Sequence, residues 1–311
     1  MGSPDFALPS LRRLIQSEHE LVAVVTQPDR PSGRGRAVMP PPVKELALQH
    51  GLPVLQPKSV NASGALEALR MCSPDALVVA AFGQILKQPL LDIPQRGSLN
   101  VHASLLPKYR GAAPVAGALL GGEKETGATI MEVELALDSG PIVAQRALSI
   151  GPDDTTGTLT SRLGEIGGEL LVEVLPAWAK GEISPKPQDD ALATYVKAVR
   201  REDAIIDWRL SADEIGRRVH AYNPWPGATT LVEGMALRVL EAWPLDAEAN
   251  VEAGTVVSLP PGAKVPRAGF AVQCGVGLLA IVSAQRAGKR IVSAAELLRG
   301  WRELIGKRLG G

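Results

Sequence analysis

The first half of the chain alternates short, nearly continuous apolar runs with segments of helical periodicity. The apolar runs are residues 21–26, 53–56 and 76–82, and helical spacing occupies 43–49 and 62–71 between them. Apolar runs rich in Val are typical of strands that are covered on both faces. Because strands that alternate with helices build parallel sheets, we predict an α/β fold with a doubly wound, mainly parallel sheet.

The start of the chain departs from this pattern. A doubly wound domain normally opens with a strand, whereas Met1-Gly-Ser-Pro-Asp-Phe6 has the composition of the turn that would follow one. The strand predicted at 21–26 would then lack a neighbour, and the loss of a buried strand costs more than the roughly 5–15 kcal/mol that stabilises a domain. We therefore expect an opening strand upstream of Met1, with Met1 as an internal methionine at its end.

A strand pair and a long helix complete the first domain. Residues 127–134 and 142–150 are predicted to pair around a broad turn that holds Asp138. Apolar positions at helical spacing follow from Leu159 onward, and Gly181 has the place of a helix C-cap. We therefore expect this helix to end at Gly181.

Glycine and two prolines lie among polar side chains between residues 180 and 194, which is typical of a domain boundary. This composition divides the chain into three parts. We predict an N-terminal α/β domain over 1–182, a linker over 183–203 and a C-terminal domain over 204–311.

The final third of the chain consists of short β-like runs separated by Gly, Pro and charged turns. A helix capped by Ser211, with Glu214 completing a capping box, ends at Tyr222-Asn-Pro-Trp-Pro-Gly227. The β-like runs that follow are 228–232, 236–242, 254–259, 270–273 and 277–282. Five short strands predict a small β-barrel of the oligonucleotide-binding type.

The composition excludes several classes of protein. The chain of 311 residues carries 33 Lys or Arg against 33 Asp or Glu, so no overall field attracts nucleic acid or an anionic membrane. Cys72 and Cys274 have neither metal-ligand nor redox spacing, and we expect free thiols in a reducing compartment. Because no apolar run reaches about 18 residues and no signal peptide is recognisable, we expect a soluble, cytoplasmic protein.

Positive charge is nevertheless concentrated in two segments. Residues 26–44 contain five prolines, two glycines and four Lys or Arg against one Asp, in a connection far longer than the usual 2–6 residues or so. Residues 285–311 contain seven Lys or Arg against Glu296 and Glu303. Each segment is either a solvated surface or a contact surface for nucleic acid, and the sequence pattern leaves both interpretations open.

Asn100 and His102 stand two residues apart at the end of an apolar run. If residues 99–102 form a strand, both side chains point to the same face, because successive side chains alternate between faces. Strand ends are where open α/β sheets bind ligands. An amide and an imidazole can stabilise an oxyanion, and Asp138 can orient the imidazole and raise its pKa. We therefore favour catalysis over a purely structural histidine.

Other chemistries have weaker support in the sequence. Ser104 lacks the Gly-x-Ser-x-Gly elbow of a nucleophilic serine. His19, His50 and His220 lack the spacing of metal ligands, so we predict no metal site. No phosphate-loop signature occurs, and Gly33-Arg-Gly35 is too short for a dinucleotide fingerprint.

Several of these segments together resemble one known family. Asn100-Val-His102, the following Ser104-Leu-Leu-Pro-Lys-Tyr-Arg-Gly-Ala-Ala-Pro114 and Leu137-Asp-Ser-Gly140 resemble the folate-dependent formyltransferases. The branch of this family that acts on methionyl-tRNA is further indicated by segments along the whole chain. These are Gly2-Ser-Pro-Asp-Phe6, Gln27-Pro-Asp-Arg-Pro-Ser-Gly-Arg-Gly35, Ile206-Asp-Trp208 and Asn223-Pro-Trp-Pro226.

The resemblance implies a reaction and a set of site residues. A formyl group would move from 10-formyltetrahydrofolate to the α-amino group of methionyl-initiator tRNA in a monomeric enzyme, without a metal or a membrane. Asn100, His102 and Asp138 would be catalytic, and the C-terminal barrel would bind tRNA. The implied folate contacts are Ser104, Leu105, Leu106, Pro107, Phe82, Gly83, Ile85 and Leu86. The implied tRNA contacts are Arg34, Arg36, Arg286, Lys289 and Arg290.

Two alternatives remain open at this point. A related formyltransferase could use the same three residues on a small amine, although the basic 26–44 segment and the second domain argue against it. The chain could instead be an inactive tRNA-binding protein, because loss of the opening strand would damage the folate-binding domain.

Overall fold

The computed structural model describes residues 1–32 and 37–310, which form two compact units. The first unit consists of Met1–Pro114, Lys124–Ile150 and Leu159–Lys197. The second consists of Val115–Glu123, Gly151–Thr158 and Ala198–Gly311. Two short internal segments therefore pack with the C-terminal part of the chain, which the sequence pattern did not indicate. The division into 1–182, 183–203 and 204–311 stays a prediction.

The first unit is an α/β arrangement of short strands and helices. Its strands are β1 (Val24–Val25), β2 (Arg30–Ser32), β3 (Ala37–Met39), β4 (Val54–Leu55), β5 (Leu77–Val79), β6 (Ser98–His102), β7 (Arg110–Gly111), β8 (Glu125–Glu132), β9 (Ile142–Ser149) and β10 (Tyr195–Val196). The helices, of which the last two also enter the second unit, are α1 (Leu8–Ile15), α2 (Pro42–Gln49), α3 (Ser63–Met71), α4 (Gln88–Leu91), α5 (Pro114–Leu120) and α6 (Thr156–Ala179).

Parallel and antiparallel pairs both occur in this unit. β1 pairs in parallel with β4, and β5 pairs in parallel with β6. The larger sheet continues from β6 through β8 to β9 by antiparallel pairing, in the order β5-β6-β8-β9. The α/β prediction and the predicted β8–β9 pair are thus confirmed, and the sheet is mixed because β8 runs antiparallel to both β6 and β9.

Backbone hydrogen bonds of Met1 and Gly2 connect the parallel pair β1–β4 to the parallel pair β5–β6. The Gly2 amide donates to the Val25 carbonyl at 3.0 Å, and the Ala80 amide donates to the Met1 carbonyl at 2.9 Å. Beyond this short bridge, a cavity of about 330 Å³ lies between the chain segments that lead into β1 and β5. The upstream opening strand expected from the sequence stays a prediction.

Helix α6 packs directly beneath the strand that carries Asn100 and His102. Gly167 faces β6, and a methyl group at this position would lie 2.7 Å from Val101 Cγ1. Leu159, Leu163 and Leu171 are fully buried along the same helix. The glycine lets helix and strand approach closely, so that the apolar face of β6 is covered and its polar face is left for the site.

The described residues of the basic 26–44 segment include two short strands. β2 pairs with β3 in antiparallel register, from Arg30 opposite Met39 to Ser32 opposite Ala37. Asp29 accepts hydrogen bonds from Lys44 Nζ and Gln56 Nε2 at 2.7 Å each, which anchors the base of the segment. The hydrogen bond from Lys44 lowers the pKa of Asp29. Arg34 and Arg36 lie outside the described residues.

The second unit is built on an antiparallel sheet. Its strands are β11 (Thr229–Val232), β12 (Met235–Leu245), β13 (Val256–Val257), β14 (Phe270–Gln273), β15 (Leu278–Arg286) and β16 (Ile291–Ser293), and its helices are α7 (Ala212–Ala221) and α8 (Ala294–Gly300). The strand order is β11-β12-β15-β14-β13, and β16 also pairs with β15. The five predicted strands are confirmed and are consistent with a small barrel domain. β16 was missed because three residues show too little periodicity.

The apolar faces of this sheet enclose the second core. Phe270, Val272 and Ile281 of the sheet belong to one buried cluster with Ile215 and Val219 of α7. The predicted cap of α7 is present, because the Ser211 hydroxyl accepts a hydrogen bond from the Glu214 amide at 3.2 Å. Across residues 1–32 and 37–310, none of the helices combines the length and apolar character needed to span a membrane.

The close packing of α6 predicts the effect of a single added methyl group. A Cβ at Gly168 would lie 2.9 Å from the backbone of Pro9 and Ser10, which cannot move aside cheaply. We expect Gly168→Ala to lower the unfolding free energy by about 1–3 kcal/mol, measured by thermal denaturation. The matched control is Gly64→Ala in α3, where nothing lies within 4 Å of the new methyl group. Equal melting temperatures for the two variants would contradict this packing.

Candidate active site

Asn100 and His102 lie on the polar face of β6, where side-chain alternation predicts them. Leu99 and Val101, on the opposite face, are 0% and 2% exposed. Asn100 is half-buried, and no protein group within residues 1–32 and 37–310 hydrogen-bonds its side-chain amide. This amide is therefore available to a bound molecule, whereas the neighbouring imidazole already has protein partners.

The two ring nitrogens of His102 face different groups. Nε2 is 3.2 Å from the Tyr109 carbonyl oxygen, and Nδ1 is 3.7 Å from Asp138 Oδ2. A carbonyl oxygen only accepts, so the first contact assigns a proton to Nε2 in the neutral ring. Nδ1 is then the nitrogen that gains or loses a proton, and it does so beside a carboxylate.

Burial controls the charge of His102. The side chain is 6% exposed, and its desolvation lowers the pKa of His102 from 6.5. The nearby Asp138 carboxylate raises that pKa, as the sequence analysis expected, but its effect is smaller than that of burial. The expected effect of Asp138 is thus present, but burial outweighs it, so the net pKa of His102 lies below 6.5 and the neutral ring is favoured.

Asp138 is held on a turn between β8 and β9. Its Oδ2 accepts a hydrogen bond from the Gly111 amide at 2.8 Å, and its backbone has a φ of +50°. Gly111 itself has a φ of +115°, and a methyl group there would lie 2.3 Å from the Val196 carbonyl oxygen. Glycine is required at this position, which explains its place in the Tyr-Arg-Gly segment.

The loop after β6 is rigidly built. The Ser104 hydroxyl is buried and donates to the Lys108 carbonyl at 2.7 Å, which argues against a nucleophilic role. Leu106 is also buried, and its carbonyl accepts from Gln145 Nε2 at 2.8 Å. Leu105 and Pro107 are partly buried. The loop therefore presents backbone and partly covered apolar groups beside the carboxyl end of β6.

A second expected folate segment follows the neighbouring strand β5. Phe82 and Leu86 are buried in the core of the first unit, whereas Gly83 is exposed and Ile85 is 80% exposed. The Phe82 carbonyl accepts a hydrogen bond from Gln27 Nε2 at 3.0 Å. Because β5 and β6 are parallel, the two expected folate segments begin at the same edge of the sheet. Phe82 and Leu86 support the segment from inside, and its backbone and Ile85 face outward.

The basic residues of the second unit are in different environments. Arg286 stacks over the Trp301 ring, with Cζ 4.7 Å from the ring centroid. Lys289 is exposed in the turn between β15 and β16, and Arg290 forms an ion pair with Glu296. Lys289 therefore presents its charge to solvent, whereas the charge of Arg290 is partly compensated.

The site residues that the sequence analysis missed are Tyr109, Gly111 and Gln188. Gln188 Nε2 donates to the Asp138 carbonyl at 2.9 Å, although it lies in the segment predicted as a linker. Among residues 1–32 and 37–310, no three His, Cys, Asp or Glu side chains are grouped to hold a metal ion. Cys72 and Cys274 are free, and burial raises the pKa of the Cys274 thiol to about 12.

Comparison with known proteins defines the class to which this fold and site belong. Residues 1–175 match the formyl transferase family, and residues 198–302 match the formyl transferase C-terminal domain. The chain therefore belongs to the formyl transferase family. It is 48% identical to a methionyl-tRNA formyltransferase of Roseiflexus sp. (strain RS-1), over 100% of this chain and 94% of the relative. It is 45% identical to a methionyl-tRNA formyltransferase of Methylococcus capsulatus, over 99% and 98% of the two chains.

Solved structures share the fold at low sequence identity. WlaRD, a sugar 3N-formyl transferase, superposes with a TM-score of 0.64 at 16% identity, over 93% of this chain and 97% of that chain. HypX from Aquifex aeolicus in complex with tetrahydrofolic acid superposes with a TM-score of 0.59 at 19% identity. This second match covers 83% of the present chain and 44% of HypX.

The lowered pKa of His102 predicts a pH dependence of stability. The unfolded state binds a proton near pH 6.5 and the folded state only at lower pH, so the folded state loses stability as pH falls through this interval. When the pH is lowered from about 7.5 to 5.5, we expect the melting temperature of His102→Gln to fall less than that of the parent protein. His220, whose pKa is also lowered by burial, acts equally in both proteins. An equal fall in the melting temperatures of the two proteins would contradict a lowered pKa of His102.

Proposed function

We propose that the protein transfers the formyl group of 10-formyltetrahydrofolate to the α-amino group of methionyl-initiator tRNA, giving N-formylmethionyl-tRNA. The observation that carries this proposal is the relationship to methionyl-tRNA formyltransferases over the whole chain, including the second unit. The buried His102 ring, with the partly buried Asp138 carboxylate and an available amide beside it, supplies the chemistry that such a transfer needs.

In the proposed reaction the lone pair of the amine attacks the formyl carbon. The Asn100 amide donates a hydrogen bond to the oxyanion that develops there, as a preformed oxyanion site does. Neutral His102 accepts the proton that the amine loses, at Nδ1, and the Asp138 carboxylate 3.7 Å away stabilises the imidazolium. The carbon–nitrogen bond of the folate then breaks, and the proton passes to the folate nitrogen, directly or through water. No covalent bond to the enzyme forms.

The folate is proposed to bind at the shared edge of β5 and β6. Ser104, Leu105, Leu106 and Pro107 would contact it from the loop after β6, and Gly83 and Ile85 from the segment after β5. Phe82 and Leu86 would act by holding that segment in place, because both are buried in the core. The Leu106 amide donates to Thr129 Oγ1 and Gln145 Nε2 donates to the Leu106 carbonyl, and these two hydrogen bonds keep the first loop in position for the ligand.

The tRNA is proposed to contact two basic surfaces. One is the 26–44 segment with Arg34 and Arg36, and the other is the β15–β16 turn with Arg286, Lys289 and Arg290. Such contacts neutralise phosphates and release counterions, so binding should weaken with salt. We also propose that the protein acts as a monomer in the cytoplasm, where charged initiator tRNA is available.

The first test is the role of His102 in transfer. We expect His102→Ala to lower kcat for formylation of methionyl-initiator tRNA by about 10²–10⁴-fold, with tRNA affinity retained, because a proton acceptor beside the oxyanion is lost. Transfer of a radiolabelled formyl group measures this. His50→Ala, at an exposed position after α2, is the matched control and should retain full activity. Unchanged turnover in His102→Ala would remove His102 from the mechanism.

The same assay separates the proposed substrate from the alternatives. Methionyl-initiator tRNA is compared with a purine-precursor amine and an amino-sugar nucleotide as formyl acceptors. Transfer to a small amine without transfer to the tRNA would show a small-molecule formyltransferase. Binding of the tRNA without transfer to any acceptor would show an inactive tRNA-binding protein.

The second test is the basic turn. We expect Lys289→Ala to reduce the slope of log Kd for tRNA against log salt concentration by about 1, because one phosphate contact is lost. The matched control is Lys264→Ala, which removes the same charge from an exposed position of another loop in the same unit. Filter binding over a range of salt concentrations measures both slopes. Identical slopes for the two variants would show that the turn does not contact tRNA.

A further inference from the structure

A segment predicted as a linker runs alongside the catalytic residues. This segment, residues 186–196, is called the strap below. At its start, Lys186 and Ile142 exchange backbone hydrogen bonds of 2.7 and 2.8 Å at the beginning of β9. At its end, β10 pairs in parallel with β7, and the Arg110 amide donates to the Thr194 carbonyl at 2.8 Å. Both ends of the strap are therefore bonded to segments that flank the site.

A buried arginine lies under the strap. Arg110 is 1% exposed, and its Nε and one terminal nitrogen donate to Gln188 Oε1 at 3.0 and 2.8 Å. The guanidinium also donates to the Tyr195 hydroxyl at 3.0 Å and to Asp190 Oδ1 at 2.8 Å. A buried guanidinium requires such partners, since an unpaired buried charge is strongly destabilising. The orientation of the Gln188 amide is thereby fixed, with its oxygen toward Arg110.

The other end of the same amide holds the Asp138 turn. Gln188 Nε2 donates to the carbonyl oxygens of Asp138 and Gly140, at 2.9 and 2.8 Å. Both amide hydrogens and the amide oxygen of Gln188 are thus used. One side chain connects the buried arginine to the turn that presents a carboxylate to His102.

The two residues that face the ring nitrogens of His102 share an unusual backbone conformation. Tyr109 has a φ of +61° and Asp138 a φ of +50°, and neither is glycine. This left-handed region is unfavourable for a residue with a Cβ, so each needs support from its surroundings. The strap provides that support on both sides, because Thr194 Oγ1 accepts from the Tyr109 amide at 2.8 Å and Gln188 holds Asp138.

We propose that Gln188, assisted by Thr194, is a positioning residue that sets the Asp138 carboxylate and the Tyr109 carbonyl on the two ring nitrogens of His102. Gln188 does not touch the reacting groups. It acts through Asp138, and its importance for turnover rests on the function proposed above.

The experiment compares two contacts of the same arginine. We expect Gln188→Ala to lower kcat for formyl transfer by about 10–100-fold with KM values for folate and tRNA unchanged, because a displacement of about 1 Å in a catalytic group has effects of this size. Asp190→Ala removes a different partner of Arg110 at a position whose side chain is 83% exposed. It leaves the Asp138 turn untouched, and we expect its kcat to remain within about twofold of the parent protein.

A second variant distinguishes positioning from simple loss of stability. Gln188→Glu keeps an oxygen acceptor for Arg110 but cannot donate to the two turn carbonyls while it is ionised. We expect the melting temperature of Gln188→Glu to be close to that of the parent protein. Its kcat should nevertheless be as low as that of Gln188→Ala. Recovery of kcat in Gln188→Glu would mean that the buried arginine alone matters, which would overturn the proposal.

A spectroscopic measurement tests the strap without enzyme activity. The chain has four histidines, and the His102 signals in a ¹⁵N-histidine NMR spectrum are assigned by comparison with His102→Gln. We expect the titration midpoint of His102 to fall in Gln188→Ala, because the Asp138 carboxylate that raises its pKa is no longer held opposite Nδ1. An unchanged midpoint would overturn the proposal. Absence of formyl transfer by the parent protein would instead contradict the proposed function, and the NMR result would still decide the role of the strap.

Discussion

The contact of the buried His102 ring with the Asp138 carboxylate is the interaction on which the site depends. An imidazole removed from water favours its neutral form, and a carboxylate nearby favours the charged form. Burial has the larger effect here, so the neutral ring is favoured, and in the proposed reaction the carboxylate is already in place to stabilise the proton that the ring receives. This balance requires that the carboxylate be held at a set distance, since electrostatic interactions in a buried site change steeply with separation.

The surrounding fold holds His102 and Asp138 in place from two sides. Beneath β6, the close approach of α6 at Gly167 covers the apolar face of the strand and leaves no space for it to shift. Above it, the strap connects Arg110, Gln188 and the Asp138 turn through hydrogen bonds of 2.8–3.0 Å. The proposed mechanism requires a rigid support of this kind, because misplacement of a catalytic group by about 1 Å is costly for turnover.

Local sequence patterns predicted much of this arrangement. The Val-rich runs located β1 and β5, the Asn-Val-His spacing gave a shared face on β6, and the bounds of β14 agree with the run at 270–273. The patterns failed where structure depends on distant partners. The prolines gave no sign of the β2–β3 pair, and three residues were too few to indicate β16. The hydrogen bonds of the strap were not predicted, because its polar side chains have internal partners only in the folded chain.

Periodicity, turn composition and motif spacing therefore determine the α/β and antiparallel domains, the strand that carries Asn100 and His102, and the involvement of Asp138. The tertiary structure alone decided the direction in which the pKa of His102 is shifted and the groups that the Gln188 amide contacts. The reason is that both depend on contacts between residues far apart in the chain: Gln188 lies 50 residues from Asp138 and 78 from Arg110. Local spacing carries no information about such pairs, and burial, which sets the pKa of His102, exists only once the chain has folded.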